Sequence, residues 1–505
     1  MMPFDAYAPR VSKTRVILMS LALSKCFCSS VVTAQTSSAA RPSPGQTTLK
    51  LERTPSKIQK DFNTTLRFES MEYLSTIPEQ KELTRSQLAS IQFAGERNLN
   101  DSSQVIIGTD IYVGTHFARQ STQLALNESY VSVFVSPKAV QDEHLSVGRK
   151  LYDWSRVDRH WSLGLWESKL YIDAIRTESQ GLTGFFYYNR GDSGSFLLFA
   201  SPMFIPSQGP EIREERGTLT ADSRWYRTPS PQFELLGKVN KIEYNLDIPD
   251  RMSLAARPGA AVQLKLGDEK GFFAQSSAGY KPVNELILER KNFKKIDSLE
   301  LDVTVRPKTT YHQIVSLDLG FKNDEFQLSQ SYLEEAPESQ KAEKDWSIQR
   351  LSSIRALGTH FSWVLDPEKN SMMRRIWNSQ TKFDLDYLKV EGGEITDYLA
   401  SGQKDTLLLF DQRLQYSNSL RGKMKTTLGR VFKRPLGLQY SYLYDFDQRG
   451  SLIQSELKYE MTPSWIWIFG ADFIGVEDEE KSKVTSFLNQ NRGNDRYYAG
   501  MGYVF

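Results

Sequence analysis

The chain has 505 residues, with 63 Lys and Arg against 61 Asp and Glu, for a formal charge of +2. That balance removes the electrostatic case for a nucleic-acid partner, which needs a clustered cationic excess, and an aromatic share of 12% argues against wholesale disorder. A hydrophobic share of 39% suits either a soluble β protein or a membrane barrel with a polar lumen, so patterning has to separate the two.

The N-terminus reads as a secretory signal over residues 1–34. Arg10, Lys13 and Arg15 form a basic region, Val16 to Leu23 an apolar run interrupted by Lys25, and Val32-Thr33-Ala34 a small-residue cleavage site. The run is too short to span a bilayer. Leu23-Ser24-Lys25-Cys26 lacks the small residue that lipidation needs before the cysteine. Cys26 and Cys28 leave with the signal, so the exported chain has no disulfide and must be held by core burial or by closed sheet hydrogen bonding. Residues 35–60, rich in Ser, Thr, Pro, Gln and Lys, read as a flexible periplasmic lead-in, and 61–505 as the folded part.

From Phe62 onward the dominant hydrophobic period is two. In Val105 to Phe117 the odd positions are Val, Ile, Thr, Ile, Val, Thr and Phe, and the even ones are mostly small or polar. Thirteen residues exceed the usual soluble strand of five or six and match a tilted membrane strand. The alternation recurs at Leu301-Val303-Val305, Tyr311 to Phe321, Phe383-Leu385-Tyr387, Met424-Thr426-Leu428, Leu436 to Phe446, and Trp465, Trp467, Phe469 and Phe473. No run of 18 apolar residues appears, which excludes a helical membrane protein. Short turns (Lys433 to Pro435, Asp447 to Gly450, Thr462 to Ser464) alternate with long charged loops (Ser207 to Pro231, Glu334 to Asp345, Val476 to Asp495). That asymmetry fits a barrel of about 16 membrane strands, within 14–18. Counting back from the last strand puts Glu391 to Lys404 on the periplasmic side, too long for a turn there.

A sheet in hydrocarbon must pair every backbone N–H and C=O internally, and only closure does this. A soluble sandwich would also alternate, so the C-terminus discriminates. Tyr497, Ala499, Met501, Tyr503 and Phe505 share one face, with Gly500 and Gly502 on the other. This resembles the terminal signal of bacterial outer-membrane barrels, in which a final Phe or Trp closes an apolar-alternating strand. The resemblance implies that the barrel-assembly machinery reads this strand. Trp465, Trp467, Tyr497 and Phe505 suit the two membrane interfaces. A second stretch, Glu128-Ser129-Tyr130, Leu145 to Lys150 and Trp154, is similar to a segment of large porin-like families, including the alginate-export type. There a strand pair leads into a Gly-Arg-Gln-like corner and a Trp. Here Lys150 replaces the Gln, and Ser155 follows the Trp.

Gly191-Asp192-Ser193-Gly194 has the letters of a serine-protease nucleophile, but Gly, Asp and Ser are what a hairpin turn between two strands demands. The five histidines, His116, His144, His160, His312 and His360, lie too far apart for a local zinc motif. The candidate pore-lining residues are charged. Lys423 and Lys425 should point inward, as should Asp384 and Asp386, giving a transverse field if the pairs sit on different walls. Arg149, Lys150, Arg156 and Arg159, with Asp153 and Asp158, form a mixed cluster near an expected constriction.

The expectation is an all-β, transmembrane antiparallel β-barrel in the bacterial outer membrane, a porin-type channel for passive diffusion of small solutes through a lumen narrowed by an infolded loop. The alternatives are a substrate-specific channel for a sugar, an anionic polymer or a hydrophobic compound, and a plugged barrel acting as a surface adhesion or structural protein. No enzymatic role, cofactor or metal is expected. The expected partners are outer-membrane lipid, the barrel-assembly machinery and small solutes, with oligomerisation left open.

Overall fold

The computed structural model describes residues 62–76, 84–100, 103–116, 119–134, 143–221, 223–226, 229–235, 237–267, 270–294, 301–366, 379–399, 401–402, 413–477 and 485–505; for 96–123, 233–235 and 293–294 it describes the backbone only. The signal over 1–34, the lead-in over 35–60 and the facing of side chains in Val105 to Phe117 lie outside these residues.

Period-two segments become the walls of one 18-stranded antiparallel sheet. In chain order its strands are β1 (Phe62–Tyr73), β2 (Arg85–Asn100), β3 (Ser103–His116), β4 (Arg119–Phe134), β5 (Glu143–Lys150), β6 (Leu182–Gly191), β7 (Gly194–Ser201), β8 (Gly259–Leu266) and β9 (Gly271–Pro282). The second half comprises β10 (Tyr311–Lys322), β11 (Phe326–Pro337), β12 (Ile354–Leu365), β13 (Thr381–Gly392), β14 (Asn418–Val431), β15 (Arg434–Asp445), β16 (Gly450–Glu460), β17 (Trp465–Val476) and β18 (Arg496–Val504). Each strand pairs with its neighbour in sequence, and β18 pairs with β1 from Thr65↔Val504 to Tyr73↔Arg496. The sheet therefore closes on itself with no edge, which is what the backbone needs in lipid. Eighteen strands is the upper end of the expected range.

The outward face is apolar and exposed: Leu198, Leu264, Leu317, Leu319, Phe361, Leu385 and Leu457 all project from the wall. The opposite parity carries Ser132, Ser146, Gln263, Gln275, Ser277, Ser316, Asp318, Glu335, Asp386, Asp472 and Arg496, all buried. This is the reverse of a soluble sandwich, whose apolar face is dry. Aromatic rings gather at both margins of the apolar band. Tyr503 contacts both Trp465 and Phe505 at the terminal end, and Phe321 contacts both Phe272 and Phe326 there as well. At the other end Phe473 meets Tyr497, and Tyr280 stacks on Tyr311. From Trp465 to Phe473 is roughly 27 Å along a strand at about 3.4 Å per residue. A tilt of about 40° leaves roughly 21 Å along the barrel axis, close to the hydrophobic height of an outer-membrane barrel.

Connections at the terminal end include the short 192–193, 323–325, 432–433 and 461–464, whereas 151–181, 202–258, 283–310 and 338–353 all leave from the other end. The Gly191 to Gly194 stretch is the β6–β7 hairpin, as its composition suggested. Three sequence-based placements change. The short turn Asp447 to Gly450 lies at the long-loop end, because three barrel strands follow it. The connection after Glu391 lies at the long-loop end, because five barrel strands follow it and one follows Val476, an odd number in both cases. Leu301–Lys308 is not in the barrel. It pairs with Lys238–Leu246 in parallel and with Ile287–Lys294 in antiparallel, inside a six-stranded sheet completed by Gln232–Leu235, Ser347–Leu351 and Ile395–Leu399. These strands come from four different long connections. Val303 and Val305 pack there with Leu219, Ile242 and Tyr244, so their alternation reflects a small core and not lipid. Arg290 and Asp397, both almost fully buried, clamp the sheet at 2.6 Å. No helix among the described residues is long and apolar enough to cross a membrane.

Candidate functional site

Residues 151–181, between β5 and β6, turn inward and cross the lumen. The turn is built at the Gly-Arg-Lys corner. Gly148 has φ +131°, and a Cβ there would lie 2.3 Å from the Ser129 carbonyl oxygen, so only glycine fits without displacing β4. Arg149 then ties both ends of the segment together, with Nε donating to the Gly181 carbonyl at 2.8 Å and Nη2 to Gln180 Oε1 at 3.0 Å and Ser168 Oγ at 3.2 Å. Lys150 Nζ donates to Ser146 Oγ at 3.1 Å and lies 4.4 Å from the Tyr130 ring.

The segment is fastened around most of the wall. Gln263 on β8 and Gln275 on β9 donate to the Asp153 carbonyl at 2.7 and 2.5 Å. Ser277 and Ser316 donate to the Trp154 carbonyl at 2.6 and 2.8 Å. The backbone N–H of Arg156 donates to Asp318 on β10 at 3.1 Å, and its guanidinium lies 3.9 Å from the Phe273 ring centroid. A short helix, α1 (Arg156–Trp161), follows and lays Val157 against Gly358 of β12. Arg421 on β14 donates to the His160 carbonyl and to Asp386, and its guanidinium covers the Trp161 ring at 4.3 Å. The far end reaches β17 and β18. There Arg176 makes two 3.0 Å bonds to Asp472, and Arg496 bridges Asp472 at 2.8 Å and Asp173 at 2.5 Å.

Between these polar anchors the segment is apolar. Trp154, Val157, Trp161, Leu163, Leu165 and Trp166 are buried with the wall residues Phe186, Leu197, Ile314, Leu333, Ile354, Leu388, Leu443, Leu452 and Ile474. Trp154 and Trp166 stack at 5.1 Å. At about 1.5–3 kcal/mol per buried large side chain, six such residues contribute on the order of 10 kcal/mol gross. The lumen at this level is thus a packed core.

The inward charges resolve accordingly. Asp158 is a structural acceptor: it receives the backbone N–H groups of Leu165 at 3.0 Å and Trp166 at 2.8 Å and so shapes the turn after α1. Burial raises its carboxyl above the usual range, while those two hydrogen bonds pull the other way. Burial also holds Glu167 well above the ordinary carboxylate range. Arg159 pairs with Asp153 at 2.9 Å. Asp384, Asp386, Lys423 and Lys425 share the lumen parity of β13 and β14, but these strands are neighbours, in register at Asp384↔Lys423 and Asp386↔Arg421. No transverse field arises from them, because opposite charges side by side on one wall screen each other. Asp386 is buried against Arg421 at 2.8 Å, with Lys423 at 3.9 Å, and Asp384 pairs with Lys382 at 3.1 Å. Lys425 is exposed lower in the lumen. Below the plug, Arg67, Asp384, Lys423, Glu456 and Lys458 are all partly exposed, so this half of the interior carries accessible charge beside the buried Ile466 and Ile468.

One constellation was invisible to local spacing. His160 of α1 stacks on His360 of β12, with ring centroids 3.9 Å and planes 21° apart. Asp386 lies 2.6 Å from His360 Nδ1, and ligand-type atoms of the three residues fall within 4.8 Å of one another. They do not fit a metal ion. Lone pairs of two nearly parallel imidazoles run side by side instead of converging, and Asp386 is already engaged by His360 and Arg421.

The terminal-strand residues fall where the alternation put them. Tyr497, Met501 and Phe505 are exposed on the outer face, with Tyr503 beside them and Tyr498 buried inside.

No protein-family model matches the sequence, and no curated protein matches it. Solved structures of similar fold include OmpT of Vibrio cholerae in its trimer form, at 9% identity over 88% of this chain and 98% of that one with a TM-score of 0.36. A triple mutant of the Rhodopseudomonas blastica porin gives 9% identity over 88% and 99%, with a TM-score of 0.38. Wzi of Escherichia coli, described as a carbohydrate-binding β-barrel involved in group 1 capsule assembly, gives 10% identity over 88% and 84%, with a TM-score of 0.41.

Proposed function

We propose that this chain is a bacterial outer-membrane barrel whose lumen is held closed by residues 151–181, and that it presents the six-stranded sheet of its long connections at the cell surface as a binding platform. The membrane location rests on the closed wall, the outward apolar band and the aromatic margins. The orientation rests on the rule that outer-membrane barrels turn briefly in the periplasm and loop at length outside. The single observation behind the closed state is the anchoring of the plug on β8, β9, β10, β12, β14, β17 and β18, with six buried apolar side chains between the anchors. Free diffusion of solutes past such a packed layer is not expected. Purified protein in a planar bilayer at neutral pH should be electrically silent, and steady stepwise conductance would favour the passive porin.

A second reading, a gated channel for selected solutes, is favoured by the accessible charge of the lower lumen. It requires that the plug move. Independently, the outward face of β18 supports its role as the assembly signal. Deletion of Phe505 should reduce the folded, heat-modifiable band on an electrophoresis gel, and an unchanged band would remove that role.

A further inference from the structure

Residues 151–181 are fastened to the wall by buried ion pairs, hydrogen bonds to carbonyls and apolar packing, and at one place by two stacked histidines. We infer that the His160–His360 stack is an acid-sensitive latch, which holds α1 against β12–β14 at neutral pH and lets go when the His160 ring acquires charge. The inference rests on reading 151–181 as the plug.

The geometry assigns the role. The His160 ring lies face to face with His360 at 3.9 Å, an arrangement that is favourable for neutral rings and repulsive for two cations. The rings join the plug to the wall directly, since His160 belongs to α1 and His360 to β12. The charges around His160 are mainly positive. On its own element Arg159 is next to it and is answered by Asp153 at 2.9 Å. On β14 stand Arg421, which bonds the His160 carbonyl, and Lys423. On β13 Asp386 accepts from both Arg421 and His360, and Asp384 pairs with Lys382. On β11 the inward carboxylate Glu335 is taken by Arg413 at 2.7 Å and by His312. Asp386, the nearest carboxylate, is thus shared among cations already present.

The direction follows from linkage. Burial holds His160 well below the usual imidazole range, and His360, Lys423 and Arg159 push the same way against the opposing pull of Asp386. The docked state therefore binds fewer protons than the undocked one. Docking is at full strength above the free imidazole value of about 6.5 and weakens as pH falls below it, by up to tenfold in the closed-to-open ratio per pH unit. Relative to neutral pH, one such proton shifts the ratio by at most about 100-fold at pH 4.5. The event is local, lifting α1 from the wall while Arg176 and Arg496 still hold the far end.

The test is bilayer conductance of the full chain at pH 7.5 and 4.5, with hydrogen exchange of the α1 peptide measured alongside. The wild type should be closed at pH 7.5 and show openings and faster α1 exchange at pH 4.5. His160→Phe keeps a ring for stacking but cannot titrate, so it should stay closed and protected at both pH values. His160→Gln serves the same purpose if the Phe variant fails to fold. A wild type that is silent and protected at both pH values overturns the latch and leaves the plug standing. Acid openings that persist in both variants also overturn the latch, since another group would then be responsible. Conductance of the wild type at pH 7.5 overturns the plug itself.

Discussion

Replacement of Asp472 by alanine is expected to undock the far end of the plug. Asp472 has no solvent-exposed side-chain surface and receives Arg176 twice at 3.0 Å and Arg496 at 2.8 Å. Without it, Arg496 keeps Asp173, but Arg176 is left on the Tyr498 ring, 4.0 Å away. Arg176 keeps 19% of its side chain exposed, so stranding its guanidinium costs up to about 3–5 kcal/mol, still more than a surface ion pair returns. The population with the segment detached should rise by two to three powers of ten. Tryptic cleavage after Arg176 reads this directly, because that bond is shielded in the docked state. Fast cleavage in the variant and slow cleavage in the wild type is the expected result. Equal rates would mean that the ion network does not hold the segment.

The second large effect concerns the outer wall. Leu317 is exposed near the middle of β10, between Tyr311 and Phe321. If it faces hydrocarbon, Leu317→Arg should lower stability by about 2–4 kcal/mol in urea unfolding from phospholipid vesicles. If it faced water, the same change would stay within about 0.5 kcal/mol. Val239→Arg, at an exposed position in the six-stranded sheet, is the control that should change little. A large loss at Leu317 with little change at Val239 places the lipid on the barrel wall alone.

Much of the barrel could be read from the sequence because a membrane wall imposes one local rule, an apolar outward face at every second residue, on its strands. Tyr311 to Phe321, Leu436 to Phe446 and the Trp465 parity all point outward as their spacing implied. What alternation cannot tell is what makes the dry face dry. Leu301-Val303-Val305 obeys the same period, yet its apolar side meets Leu219, Ile242 and Tyr244 outside the barrel. A constriction was expected near the charges from Arg149 to Arg159, and an infolded loop was expected without being located along the chain; the Gly148 corner that launches it carries a readable signal, a glycine just before two basic residues and a run of tryptophans. Its extent was not foreseen, because its anchors on β14, β17 and β18 lie hundreds of residues away in sequence. The same distance hides the His160–His360 stack and places Asp384 beside Lys423 instead of across from it. Long-range pairing is set by closure of the whole sheet, and no local window contains it.

Residues 151–181 are proposed to close an otherwise open barrel. The most direct measurement compares, at neutral pH in one planar bilayer system, the intact chain with a variant in which 153–180 are replaced by a short Gly-Ser link. Silence is expected from the first and regular conductance steps from the second. Equal conductance from both would show that the segment does not close the lumen.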